Sequence, residues 1–158
     1  MLDFEHIVQV NDLNNTDITA LTRNQLWQGL VLRARKPDKF NHGLRCTSEE
    51  VGAKEFFRTI EAGNSSFRER VLLYPEQKIH TSTVAELQQI RAESSTCIEE
   101  PEPGYLFVRF TYKRELDVSG DGIDVGEHLK AAYVQIDRDA IAMIRMLAAS
   151  ELFDQAIN

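Results

Sequence analysis

Two different spacings of apolar residues divide the chain into extended and helical segments. Alternating apolar and polar positions predict a first strand over Phe4–Asn11, because successive side chains of a strand point to opposite faces. Three- and four-residue spacing then predicts a helix that begins after Thr22 and is stopped by Pro37. Thr22 and Gln25 fit a capping box, in which each side chain bonds the other residue's backbone amide. A second, broken helical turn is predicted over Asp38–Phe40.

From Leu44 onward the spacing becomes that of strands. Consecutive strands joined by short turns form an antiparallel meander. Six strands are predicted, at Leu44–Val51, Lys54–Ala62, Ser66–Tyr74, Ile79–Val84, Ala92–Glu100 and Tyr105–Leu116. The segment Ala85–Arg91 is compatible with a loop, a strand end or a helical turn, and Ser119–Gly122 is typical of a flexible connector.

The longest predicted element is an amphipathic helix from about Val125 to about Ala149. Its apolar stripe consists of Leu129, Tyr133, Ile136, Ala140, Met143/Ile144 and Leu147. A helix with one apolar stripe must bury it, so we expect this helix to lie across the apolar face of the sheet. A twisted sheet of about seven strands curls and leaves space beneath the helix. The pattern therefore predicts an α+β fold of order β-α-(α)-β6-α, with one domain over residues 1–158.

Alternation also sorts the strand side chains into an inner and an outer face. The inner face is expected to hold Phe56, Arg58, Ile60 and Ala62; Phe67, Glu69, Val71 and Leu73; Thr81 and Thr83; Ser94, Thr96 and Ile98; and Leu106, Val108, Phe110 and Tyr112. Arg58 and Glu69 then point inward from adjacent strands and can meet, either as a structural pair near the open end of the sheet or as an anchor for a polar group of a ligand. Small hydroxylated residues such as Thr81 and Thr96 suit a cavity wall better than a close-packed core, although a slip of one residue in register would turn them outward.

The predicted cavity defines a set of candidate ligand contacts. They are Trp27, Arg58, Glu69, Val71, Thr81, Thr96, Val108, Phe110, Tyr112, Tyr133 and Ile136. Trp27 is expected to pack in the core or to cover the pocket, and a buried tyrosine hydroxyl needs a partner. Glu69 is the candidate catalytic base, since a carboxylate that a nearby Arg keeps ionised can accept a proton. No sequence motif supports that role.

Composition and charge narrow the possible functions. The 158 residues are 42% apolar and 27% charged, which suits one globular domain. A net charge of −7, with the cations scattered among acids, argues against a nucleic acid or an anionic membrane as a partner. The histidines and the two cysteines lack metal-binding spacing, so we expect neither a metal nor a cofactor, although His6 and His128 can line a pocket. Without a signal segment or an apolar run of membrane length, we expect a cytoplasmic monomer or homodimer.

Four segments together resemble the AtaL-like family of the START-like, birch-pollen-allergen-like (SRPBCC) superfamily. They are Leu21–Leu30, Arg68–Val71, Ile98–Gly104 and Leu106–Tyr112. The resemblance covers nearly the whole chain and implies a helix-grip fold with a deep cavity for hydrophobic ligands. It also implies a link to secondary metabolism, but it brings no catalytic residues. Functions in the superfamily range from lipid carriage to polyketide cyclisation, and the fold does not choose among them.

Three functional hypotheses follow. The first is a non-catalytic module that binds a small hydrophobic or aromatic molecule between the sheet and the C-terminal helix. The second is an enzyme of the polyketide cyclase or dehydratase type, which uses Glu69 and either Tyr112 or Tyr133. The third is an interaction protein that binds its partner through the outer face of the sheet, because exposed apolar patches mark interfaces. The outer positions that favour it are Phe107, Leu72 and Tyr74.

Overall fold

The computed structural model describes residues 1–84, 90–116 and 125–150. It confirms the predicted α+β architecture, with a curved sheet around a long C-terminal helix. The elements are β1 (Leu2–Gln9), α1 (Arg23–Arg35), β2 (Leu44–Gly52), β3 (Glu55–Ala62), β4 (Ser65–Tyr74), β5 (Lys78–Thr83), β6 (Ala92–Glu102), β7 (Tyr105–Arg114) and α2 (Val125–Ala149), with a 3-10 turn at Pro37–Lys39. The predicted connector Ser119–Gly122 and most of Ala85–Arg91 lie outside the described residues.

The seven strands form one antiparallel sheet in the order β1-β7-β6-β5-β4-β3-β2. Strands β2 to β7 follow one another as the predicted meander. The first strand pairs with the last, and Val8 lies opposite Val108. This pairing makes β1 one edge of the sheet and β2 the other.

Two strand ends differ from the prediction for local reasons. The first strand covers Leu2–Gln9 and does not include Asn11, whose buried side chain instead bonds three backbone groups. Its Oδ1 accepts from the amide of Leu21 at 2.9 Å, and its Nδ2 donates to the carbonyls of Leu21 at 2.8 Å and Gly104 at 2.9 Å. Strand β6 runs to Glu102 because a bulge after Glu99 lets the pairing with β7 resume.

Helix α1 begins at the predicted capping box and packs closely on α2. The amide of Gln25 donates to Thr22 Oγ1 at 3.0 Å, and the Gln25 side chain accepts from the amide of Thr22 at 2.9 Å. Gly29 lies against Ile144, where an added Cβ would be 2.4 Å from Ile144 Cγ2. Because any Cβ at this position would force Ile144 to shift, Gly29 allows the two helices to approach.

The hydrophobic core fills the space between the sheet and the two helices at one end. Its members include Leu26 and Leu30 of α1, Ile141 and Ile144 of α2, and Phe56, Val71, Leu106, Val108 and Phe110 of the sheet. Most of these side chains are 0–2% exposed. The apolar faces of the sheet and of the two helices therefore pack together at one end of the sheet–helix interface, and the other end of this interface leaves space for a site.

Candidate functional site

A cavity lies between the sheet, α1 and α2. It has two compartments, and we call the one that reaches α1, at Leu30 and Arg33, the α1 compartment; its volume is about 260 Å³. The other, the β4 compartment, has a volume of about 340 Å³ and reaches β4 at Phe67 and Glu69. The residues that line both are Arg58, Ile60, Ser94, Tyr112 and Tyr133. Each volume is near the lower end of the range for small-molecule pockets, about 300 to 1,000 Å³.

Seven predicted contacts line at least one compartment. They are Arg58, Glu69, Thr81, Thr96, Tyr112, Tyr133 and Ile136. Of these, Ile136 is 46% exposed and lies at the rim of the α1 compartment. The structure therefore brings together residues of β3, β4, β5, β6 and β7 that the alternation placed on the inner face and residues of the predicted α2 stripe.

Four other predicted contacts, Trp27, Val71, Val108 and Phe110, line neither compartment. The two valines are 0% exposed and Phe110 is 1% exposed, and all three belong to the packed core. Trp27 packs against that same core. The sheet residues do point inward, but here the apolar side chains of α1 and α2 cover them. The assignment of Val71, Val108 and Phe110 to the cavity wall is therefore corrected to the core, whereas Trp27 takes one of its two predicted positions.

Arg58 and Glu69 form the predicted pair, directly opposite each other on β3 and β4. Arg58 Nε and Nη2 lie 3.0 Å and 2.9 Å from Glu69 Oε1, and Nη1 donates to the carbonyl of Ala34 at 2.7 Å. The bond to Ala34 ties the sheet to the last turn of α1, where the helix dipole favours a cation. Glu69 Oε2 has no hydrogen bond to any described residue. The pair thus has a structural role and still presents a carboxylate oxygen toward the β4 compartment.

Small hydroxylated side chains form part of the cavity wall on neighbouring strands. Thr81 of β5 lies opposite Ser94 of β6, which in turn lies opposite Tyr112 of β7. Thr96 stands two residues further along β6. The hydroxyls of Thr81, Ser94 and Thr96 have no partner among the described residues, so they are available to a molecule in the cavity.

Asp137 of α2 is the central polar residue behind this wall, and sequence reasoning did not identify it. It is 0% exposed. Its Oδ2 accepts hydrogen bonds from His6 Nε2 at 2.7 Å and from the Tyr112 hydroxyl at 2.6 Å, and its Oδ1 accepts from Arg33 Nη2 at 2.7 Å. These bonds join β1, β7, α1 and α2 through one buried carboxylate.

The residue spacing along α2 indicates that Asp137 is buried. Asp137 follows Tyr133 by four residues and precedes Ala140 by three, so it lies on the apolar stripe. Ile136, which was assigned to that stripe, is instead half-exposed, whereas Ile141 is buried. The buried face is therefore rotated by about one residue, and an acidic residue at its centre indicates a buried network.

The Tyr112 hydroxyl is held as a hydrogen-bond donor. Burial, reinforced by the negative charge of Asp137, raises its pKa far above the ordinary value for tyrosine. Its ring stacks on Tyr133 with 3.9 Å between ring centres, and the Tyr133 hydroxyl accepts from Arg114 Nη1 at 3.2 Å. Both stacked rings line both compartments.

The predicted positions of the histidines are partly corrected. His6 points inward but bonds Asp137 and stacks on Phe110, so it supports the wall from behind. His128 is exposed and lines neither compartment. Within residues 1–84, 90–116 and 125–150, no three His, Cys, Asp or Glu side chains come together as a metal site. Neither described helix combines the length and apolar character needed to cross a membrane.

Comparison with known protein families identifies the family to which the chain belongs. The model of a family described as "Acetylaranotin biosynthesis cluster protein L" matches residues 8–151. The chain belongs to this family, AtaL. A search of curated proteins finds no match.

Solved structures share the fold of this AtaL family member at low sequence identity. StfQ, a di-domain ARO/CYC protein of the steffimycin biosynthetic pathway, aligns with a TM-score of 0.72 at 13% identity, over 95% of this chain and 51% of that one. The chain thus spans about half the length of this di-domain protein. The Zhui aromatase/cyclase of Streptomyces sp. R1128 has a TM-score of 0.56 at 11% identity, with 98% and 92% coverage of the two chains. The Aha1 dimer of Colwellia psychrerythraea has a TM-score of 0.60 at 15% identity, with 92% and 97% coverage. These likenesses show the helix-grip fold.

Proposed function

We propose that this AtaL family member binds a small hydrophobic or aromatic molecule in the cavity between the sheet and α2. The observation that carries the proposal is the wall composition: apolar side chains, a stacked pair of tyrosines and several hydroxyls that have no partner among the described residues. Ligand pockets typically combine an apolar lining with a few polar groups that fix orientation. The stacked Tyr112–Tyr133 pair suits an aromatic ring, and Thr81, Ser94 and Thr96 suit its oxygen substituents.

A screen for ligands tests this proposal directly. Native mass spectrometry and thermal unfolding would compare the protein alone with the protein plus lipids, aromatic polyketides and simple aromatics. A ligand at about 100 times its Kd stabilises the folded state by about 2.7 kcal/mol, which raises Tm by roughly 5 to 10 °C for a chain of this size. We expect flat aromatic compounds to produce the largest shifts and 1:1 adducts. If no compound shifts Tm or forms an adduct, the proposal is wrong.

A second candidate function is catalysis of the cyclase or dehydratase type. It is favoured by Glu69 Oε2, which has no hydrogen bond to a described residue, in the β4 compartment, and by the aromatase/cyclase proteins among the structural neighbours. In this proposal Glu69 removes a proton from a carbon between two carbonyl groups of the bound compound. Tyr133, whose hydroxyl accepts from Arg114, would donate its proton in a hydrogen bond to the oxygen on which negative charge develops, whereas the Tyr112 proton is already donated to Asp137.

Substitution of the carboxylate separates this second candidate from simple binding. Glu69→Gln preserves the bond to Arg58 but removes the base, so it should abolish cyclisation or loss of water from a linear poly-β-ketone while binding persists. Glu61→Gln, on the outer face of the adjacent strand, is the matched control. Product formation would be followed by mass spectrometry. Equal turnover in the Glu69→Gln variant would exclude Glu69 as the base.

A further inference from the structure

Charge is unevenly divided between the two compartments. The α1 compartment is lined by two guanidinium groups, those of Arg33 and Arg58, and by no carboxylate among the described residues. The acids Glu69 and Glu93 line only the β4 compartment. Each arginine has a carboxylate partner, but neither partner reaches the α1 compartment. A molecule in this compartment therefore meets cations, hydroxyls and the Asn41 amide on its polar sides.

Arg33 has hydrogen-bond donors to spare. Its Nη2 donates to Asp137 Oδ1 at 2.7 Å, whereas its Nε and Nη1 have no partner among the described residues. Asp137 is fully buried and also accepts from His6 and Tyr112, so three donors share its charge. The Arg33 side chain is 21% exposed and borders the cavity. An arginine held from behind in this way presents fixed donors to a ligand without the entropic cost of ordering a free side chain.

We propose that the α1 compartment is an anion subsite that binds the carboxylate of an aromatic acid. This inference rests on the proposed binding function and names the class of ligand. The carboxylate would accept hydrogen bonds from Arg33, with Arg58 adding a second positive charge, and the apolar body would lie against Leu30, Ile79 and Ile136. Charge-assisted hydrogen bonds to guanidinium are roughly twice as strong as those between neutral groups. The subsite thus favours an acid over a neutral compound of the same shape.

Matched pairs of ligands test the subsite on the unmodified protein. Each pair is an aromatic carboxylic acid and its primary amide, on skeletons of one, two and three rings, titrated by calorimetry at low and at high salt. We expect the acid of the best-fitting pair to bind at least about tenfold more tightly than its amide, with a preference that shrinks in high salt. Equal affinities for acid and amide would overturn the anion subsite and leave the proposed binding function intact. No binding by any pair would contradict both.

Two arginine variants test whether Arg33 causes the preference for the acid over the amide. Arg33→Gln should reduce the preference for the acid to less than about threefold while the amide binds as before. Arg70→Gln, whose guanidinium lies on the outer face beside Glu55, should leave the preference unchanged. Circular dichroism establishes that both variants are folded; should Arg33→Gln not fold, the acid–amide comparison on the wild type still decides the question. An unchanged preference in a folded Arg33→Gln variant would overturn the assignment to Arg33.

Discussion

Removal of the charge at Asp137 tests whether the buried carboxylate holds the two helices and the sheet edge together. Asp137→Asn keeps the shape of the side chain but replaces a charged acceptor of three hydrogen bonds, from Arg33, His6 and Tyr112. Hydrogen bonds to a charged group contribute about 1.5 to 3 kcal/mol each, against about 1 kcal/mol for neutral pairs. One carbonyl oxygen remains, and Arg33 is 21% exposed and so partly solvated. We therefore expect a loss of about 2 to 4 kcal/mol in the free energy of unfolding.

Urea unfolding followed by circular dichroism measures this loss. Asp139→Asn is the matched control: the same substitution two residues along α2, at an exposed carboxylate that, among the described residues, accepts only from Gln135 at 2.8 Å. It should change stability by less than about 0.5 kcal/mol. If the two variants lose the same amount, the network around Asp137 does not contribute to stability and the reasoning fails.

Three further predictions concern packing and titration. Gly29→Ala should lower the free energy of unfolding by about 1 to 3 kcal/mol because its Cβ would overlap Ile144. The double variant Gly29→Ala/Ile144→Ala should lose less stability than the sum of the two single variants, because the smaller residue 144 makes room for the Cβ. Additive losses in urea unfolding would contradict this. Because the pKa of Tyr112 is raised in the folded state, the unfolded state ionises first, and stability should fall as pH rises above about 10. At about pH 11 Tyr112 of the folded protein should still be protonated, so the folded wild type and folded Tyr112→Phe should show equal tyrosinate absorbance. A wild-type absorbance higher by one tyrosinate would contradict the raised pKa. Burial raises the pKa of the Cys46 and Cys97 thiols, so alkylation at neutral pH should be slower than for a model cysteine peptide, and equal rates would contradict it.

The fold was predictable because local signals and the global pattern agree. The capping box at Thr22, the period of two from Leu44 to Arg114 and the period of 3.6 after Val125 each specify their own element. Only an antiparallel meander covered by the last helix buries all the apolar faces together. The pairing of Arg58 with Glu69 followed from the same alternation.

The division of the inner face into core and cavity was not predictable in the same way. Val108 and Tyr112 alternate identically along β7, yet the first is covered by helix side chains and the second lines the cavity. That difference depends on the angle at which α1 and α2 cross the sheet, and the close contact at Gly29 helps to set this angle. Asp137 was missed because an acidic residue within an apolar stripe is ordinarily assigned to the solvent side. Its partners His6 and Arg33 are more than a hundred positions away in sequence.

Blocking the cavity and measuring ligand binding shows whether an aromatic molecule binds there. Ser94 lies in the wall of both compartments, so Ser94→Phe fills the space that a ligand would occupy. Ser95→Phe places the same ring on the outer face, beside His80, one residue along the same strand. Calorimetric titration with the best aromatic ligand should detect binding to the wild type and to Ser95→Phe and none to Ser94→Phe. Undiminished binding to a folded Ser94→Phe variant would contradict binding in this cavity.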